Sequence, residues 1–163
     1  MGRRLRQAET LVRDEWFWRA ALGLYLLVVY GHSLMPADLS SMESGTVLRF
    51  LQGLMDAVHL PGEALTEHMV RKAAHFLEYA GMGALLFVNF RIMVRQRRET
   101  FMSMALCSLA VPFVDETIQL FVQGRSGQIS DVWLDMAGIW TGILIVWLAT
   151  GALGSERRRR RLR

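Results

Sequence analysis

The stretch DVWLDMAGIWTGILIVWLAT, residues 131–150, decides how the rest of this chain is read. Beyond Asp135 it holds no charged side chain. As a helix rising 1.5 Å per residue it spans about 30 Å, the thickness of the hydrocarbon core of a bilayer. The two acids at its leading end are the anomaly. A charge placed in hydrocarbon costs roughly 2.5–3.5 kcal/mol on insertion scales, so such groups are paired or functional.

Working outward, three further apolar stretches share this pattern: residues 17–35, 73–90 and 101–122. The 73–90 stretch carries His75 and Glu78, and the 101–122 stretch carries Asp115, Glu116 and Gln119. With 52% hydrophobic residues in 163, the chain is too apolar in long runs for an ordinary soluble domain. The sequence therefore predicts an all-α membrane protein, a four-transmembrane-helix bundle with a short amphipathic helix in the first outer loop. Its parts are a cytoplasmic basic arm at 1–16, the transmembrane domain at 17–150 and a cytoplasmic arginine-rich tail at 151–163.

Charge sets the expected orientation. Of nineteen basic residues, all but Arg49, Arg71, Lys72 and Arg125 precede or open the first span, fall between the second and third, or lie in the tail. An even number of spans puts those three segments on one side, and basic segments stay in the cytoplasm. Both termini are thus expected on the cytoplasmic side of a membrane crossed several times. The run Gly31-His32-Ser33-Leu34-Met35-Pro36 is a poor cleavage site, so the first span reads as a retained anchor. Nucleic acid is not an expected partner, because the basic residues flank apolar spans without interleaved base readers. Membrane lipids are. The single Cys107 excludes an intrachain disulfide.

In the first outer loop Val47, Leu51, Leu54 and Val58 recur at helical spacing opposite Arg49, Gln52, Asp56 and His59. This predicts an amphipathic helix opening near Ser44 and stopping at Pro61-Gly62, lying on the membrane or covering the bundle. In the last span Gly138 and Gly142 form a small-xxx-small pattern that lets a neighbouring helix approach closely, and Gly81 and Gly83 can serve the same purpose.

Depth then gathers the polar groups. His75 and Glu78 lie one and two turns inside the outer face, Glu116 and Gln119 lie near the outer end of the third span, and Asp131 and Asp135 open the fourth. Arg71, His75 and Glu78 share one helical face, as do Glu116 and Gln119, while Asp115 is expected to point partly aside. Pro112 is expected to kink the third span below the acidic pair. Ser130 is expected to cap the fourth. The short loop 123–130 holds Arg125 above the carboxylates, where a guanidinium can clamp an anion.

Lys72-Ala73-Ala74-His75-Phe76, Asp115-Glu116-Thr117-Ile118-Gln119-Leu120-Phe121, Gly124-Arg125, Ser130-Asp131-Val132, Asp135, Gly138 and Gly142 together resemble the signatures of VanZ-like membrane proteins. The resemblance covers roughly residues 20–150, with several motifs in order. It implies a bacterial membrane protein concerned with the cell envelope. The family's namesake is associated with resistance to the glycopeptide teicoplanin. Where the family pattern often has asparagine, this chain carries Asp135.

Two readings of the polar cluster follow. In the first, a pocket at the outer leaflet binds or modifies a cell-envelope or lipid-linked component. His75, Glu116 and Asp131 are then the catalytic candidates, and Lys72, Glu78, Gln119, Arg125 and Asp135 hold the substrate. In the second, the cluster is a structural network in a non-catalytic scaffold or partner-docking module. No cofactor and no metal is expected. One histidine with scattered acids (His75, Glu78, Glu116, Asp131) is a loose ligand set. Proton or ion movement is disfavoured, because the polar groups stop halfway down the spans. His32, His59 and His68 are expected at the interface or in solvent.

Overall fold

The computed structural model describes the backbone of residues 2–59, 61–93 and 97–161, and the side chains of residues 15–59, 61–62, 64–91 and 99–150. Among the described residues the chain forms five α-helices and no strand: α1 (Gly2–Ser33), α2 (Ala37–Ala57), α3 (Glu67–Met93), α4 (Arg97–Gln119) and α5 (Ile129–Arg161). One 3-10 turn, Gly62–Ala64, sits between α2 and α3. The side chains of the basic arm up to residue 14, of Arg95, Arg97 and Arg98, and of the arginine tail lie outside the described residues.

Proline and glycine chemistry explains the breaks. Pro36 cannot donate to the turn before it, so α1 stops, and its φ of −55° launches α2. The two helices meet at 105°. The amphipathic helix thus begins at Ala37, well before the expected Ser44. It closes at Ala57, and His59 turns the chain with a φ of 60°, uncommon for a residue with a side chain. Leu39, Met42, Val47, Phe50 and Leu54 of α2, and Val58 just beyond it, are exposed, while Leu48, Leu51 and Met55 are half-buried. Pro112 lies buried inside α4, which continues past it to Gln119.

The core is the seam between α3 and α5. Tyr79, Met82, Leu86 and Phe87 of α3 pack with Ile139 and Ile143 of α5, joined by Val29 of α1 and Met104 of α4. The glycine pattern does what its spacing suggests. A Cβ at Gly142 would run into the Ala80 carbonyl, and one at Gly83 into the Ile139 carbonyl, so the two backbones are in contact there. Gly81 instead makes room for the ring of Tyr25, whose hydroxyl donates to the Glu78 carbonyl at 2.8 Å. At the far end of the seam Asn89 donates to the Trp18 carbonyl at 3.0 Å and pins α3 to α1.

By length and mean hydropathy, α4 over Glu99–Gln119 (1.4) and α5 over Ile129–Thr150 (1.7) can each cross a membrane. The bent pair Glu15–Ser33 and Ala37–Ala57 passes the same measure only together. Over its described residues α3 does not pass this measure; His75, Glu78 and Asn89 interrupt its apolar run. Among the described residues two or three spans stand on this measure, against the expected four. Only a third of each apolar window in α4 and α5 is buried by the protein. The remainder, including Phe101, Leu106, Phe113, Trp133, Ile145 and Trp147, forms an exposed apolar belt of the kind that lipid covers.

Candidate functional site: a polar cavity at the head of α3 and α5

α3 and α5 run in the same direction, and their first two turns stand beside the last turns of α4. Lys72 Nζ of α3 donates to Asp131 Oδ1 of α5 at 2.6 Å and joins the two helix heads. The Thr66 hydroxyl accepts from the Met69 N–H and opens α3. Ser130 does not cap α5. It sits inside the first turn, and its hydroxyl donates to the side chains of Gln128 and Asp131. In the connecting loop Gly124 takes a φ of 75°, a left-handed turn that glycine adopts freely.

Between these helix ends lies a cavity of about 110 Å³, enough for several waters. Lys72, His75, Glu116, Gln119, Arg125, Asp131 and Asp135, seven of the eight residues proposed from sequence, line it. The eighth does not. Glu78 turns toward α1, where its Oε1 lies 3.0 Å from His32 Nδ1. The helical face shared by Arg71, His75 and Glu78 is wide enough to be split between two neighbours, and α1 takes the deeper end. Arg71, His68, Ala37 and Ser40 complete the wall, so α2 contributes although none of its residues is buried.

Asp115 is the main correction. Expected partly aside, it is wholly buried and bridges two elements. The Ser33 hydroxyl at the end of α1 donates to Asp115 Oδ1, and Gln119 Nε2 donates to Oδ2 at 3.1 Å. Its rotation about α4 is decided by α1, and a lone serine at the end of a span gave no signal of that contact. Glu116 is equally occupied: Oε2 accepts from the Gln128 N–H at 2.8 Å and Oε1 from Gln119 at 3.3 Å. Asp131 is paired with Lys72. Two of the three catalytic candidates thus have structural partners.

The cations divide differently. Arg71 makes only a 3.4 Å hydrogen bond to His68 Nδ1. Among the described residues neither Arg71 nor Arg125 has an ion-pair partner. Burial lowers the affinity of the Arg125 guanidinium for its proton, while Asp115 and then Glu116 oppose that shift. It remains cationic at neutral pH. Cations at the N-terminal turns of a helix are disfavoured by the backbone dipole, so Arg71 gains from an anion placed in the cavity.

A family model described as VanZ/LLP1 matches residues 17–150, most of the chain. The chain belongs to the VanZ/LLP1 family. No curated protein and no solved structure matches it. The VanZ/LLP1 region begins in the apolar half of α1 and ends with the apolar part of α5, so the cavity and the glycine seam both lie within it. With its exposed apolar belt, this VanZ/LLP1 chain is a membrane-type protein.

Proposed function

We propose that the chain crosses the bacterial inner membrane four times and uses the cavity to bind the anionic head group of a lipid-linked or amphiphilic envelope component. Both termini lie in the cytoplasm on this reading, because the basic segments do. α3 is counted as a span because it is 27 residues long and its central turns pack in the core. The cavity then opens at the outer leaflet, and the acyl or polyprenyl part of the ligand stays in the bilayer against the apolar belt.

One observation carries the reading: Arg71 and Arg125 face the cavity with no ion-pair partner among the described residues, while the nearby Lys72 is committed to Asp131. Guanidinium forks match the two oxygens of a phosphate or carboxylate. The N-terminal ends of α3 and α5 add positive potential at the same place. Lys72 becomes part of the frame and Arg71 takes its place as an anion ligand. His75 is the remaining group positioned for proton transfer, should the bound head group be modified rather than held.

The occupied hydrogen bonds of Asp115, Glu116 and Asp131 favour the scaffold reading for those three residues. The two readings part at Arg125. Mass spectrometry of lipids retained by the purified full chain should show anionic lipid phosphates held by the wild type and reduced about tenfold in Arg125→Ala, the scale of one charge-assisted contact. Equal retention by both proteins leaves the scaffold reading. A tie to glycopeptide resistance belongs to the same hypothesis. Expression should then shift teicoplanin susceptibility of a sensitive host, and Arg125→Ala should remove the shift.

A further inference from the structure

Beneath the anion-facing wall, three side chains from three helices converge. One ring nitrogen of His75 (α3) and one carboxylate oxygen each from Asp115 (α4) and Asp135 (α5) all lie within 4.8 Å of one another. Both aspartates are wholly buried. Asp135 is the telling member, since neither of its oxygens has a hydrogen-bond partner among the described residues. Leaving a buried carboxylate bare costs several kcal/mol, and buried charges are ordinarily paired or bound to metal.

We propose that His75, Asp115 and Asp135 form a binding site for one divalent transition-metal ion, of the Zn²⁺ or Mn²⁺ kind. Two carboxylates cancel the charge of such an ion, and one imidazole with two carboxylate oxygens is a donor set these metals accept. Ligand bonds of roughly 2.0–2.2 Å put the donor atoms of a tetrahedral site about 3.4 Å apart, inside the 4.8 Å that bounds this trio. The shell behind the ligands is already in place. The Ser33 hydroxyl and the Gln119 amide hold Asp115 and orient it, as outer partners of metal-binding carboxylates do. His75 and Asp135 also line the cavity, so the ion keeps an open side toward whatever fills it.

This trio differs from the loose set that the sequence offered. Glu78, Glu116 and Asp131 are engaged by His32, by Gln119 with Gln128, and by Lys72. The inference does not rest on the head-group reading and is tested without any lipid ligand.

The full chain, purified in detergent, is stripped with EDTA, desalted and loaded with Zn²⁺, Mn²⁺ or Co²⁺ alone. Elemental analysis should find about one ion per chain with at least one of these metals. Asp135→Asn and His75→Ala should each lower that content about tenfold or more, while Asp38→Asn on the exposed flank of α2 keeps it. Co²⁺-loaded wild type should show ligand-field absorption that His75→Ala loses. Retention below about a tenth of an ion by wild type with all three metals overturns the proposal. So does an Asp135→Asn protein that binds as wild type does. Where Asp135→Asn fails to fold, the wild-type Co²⁺ spectrum and a Tm raised by metal and lowered by EDTA decide in its place. Their absence overturns the site.

Discussion

Midway along α3 and α5, at Ala80 and Gly142, the two helices touch backbone to backbone; two turns nearer their N-termini the same helices border a polar cavity. The seam is apolar and closed, with Tyr79, Met82 and Ile139 wholly buried. At the cavity end one ion pair joins α3 to α5, and the α4 carboxylates are tied to α1 and to the loop before α5. The contrast shows one helix pair doing two jobs. Tight packing below holds the register, which lets the cavity keep Arg71 and Arg125 without an ion pair and Asp135 without a hydrogen bond among the described residues. A membrane interior makes that division necessary. Lipid does not drive two apolar helices together, so close glycine contact has to do so.

Attacking the seam should have the largest effect. Gly142→Leu forces a side chain into the Ala80 carbonyl and should cost on the order of 3 kcal/mol or more. That corresponds to a Tm drop of roughly 10 °C, or to loss of monodisperse protein in size-exclusion chromatography. If Gly142→Leu purifies and melts like wild type, the seam does not hold the register.

At the cavity end the expected effect moves from stability to binding. Arg71→Ala should leave Tm within about 2 °C while weakening binding of an anionic lipid phosphate roughly tenfold, measured by lipid retention in native mass spectrometry. A collapse of the fold with unchanged lipid selectivity would turn the comparison around and make the cavity end structural.

A smaller effect is expected from Lys72→Met. Both side chains of the Lys72–Asp131 pair keep about a third of their surface accessible, 34% and 29%. Solvent screens such a pair, so its loss should cost under about 1 kcal/mol, or roughly 2–4 °C in Tm. A thermal melt at low and high salt checks this. The difference between the proteins should shrink as salt rises.

The smallest effect is expected from Glu78→Gln. Glu78 lies outside the cavity and meets a half-exposed His32, so lipid retention should stay within about twofold of wild type. A loss matching that of Arg71→Ala would return Glu78 to the binding set.

Much of this was legible before the structure. Run lengths and charge placement named the helices, and the family resemblance rested on motifs that the matched region contains. Gly138 and Gly142 announced a close crossing that is present. Other features were not legible. The start of α2 depended on Pro36 rather than on Ser44. Over its described residues α3 does not pass as a span by composition, because His75 serves the cavity and Glu78 meets His32 rather than lipid.

What the sequence by itself determined is depth. The fixed rise of an α-helix places His75, Glu116 and Asp135 near one level once each apolar run is counted. What only the tertiary structure decided is rotation about each helix axis. Glu78 faces α1 and leaves the cavity, whereas Asp115 is fixed by Ser33 and meets Asp135. The physical reason is that a helical face spans more than one neighbour. Which of its residues turns inward depends on where the other helices pack.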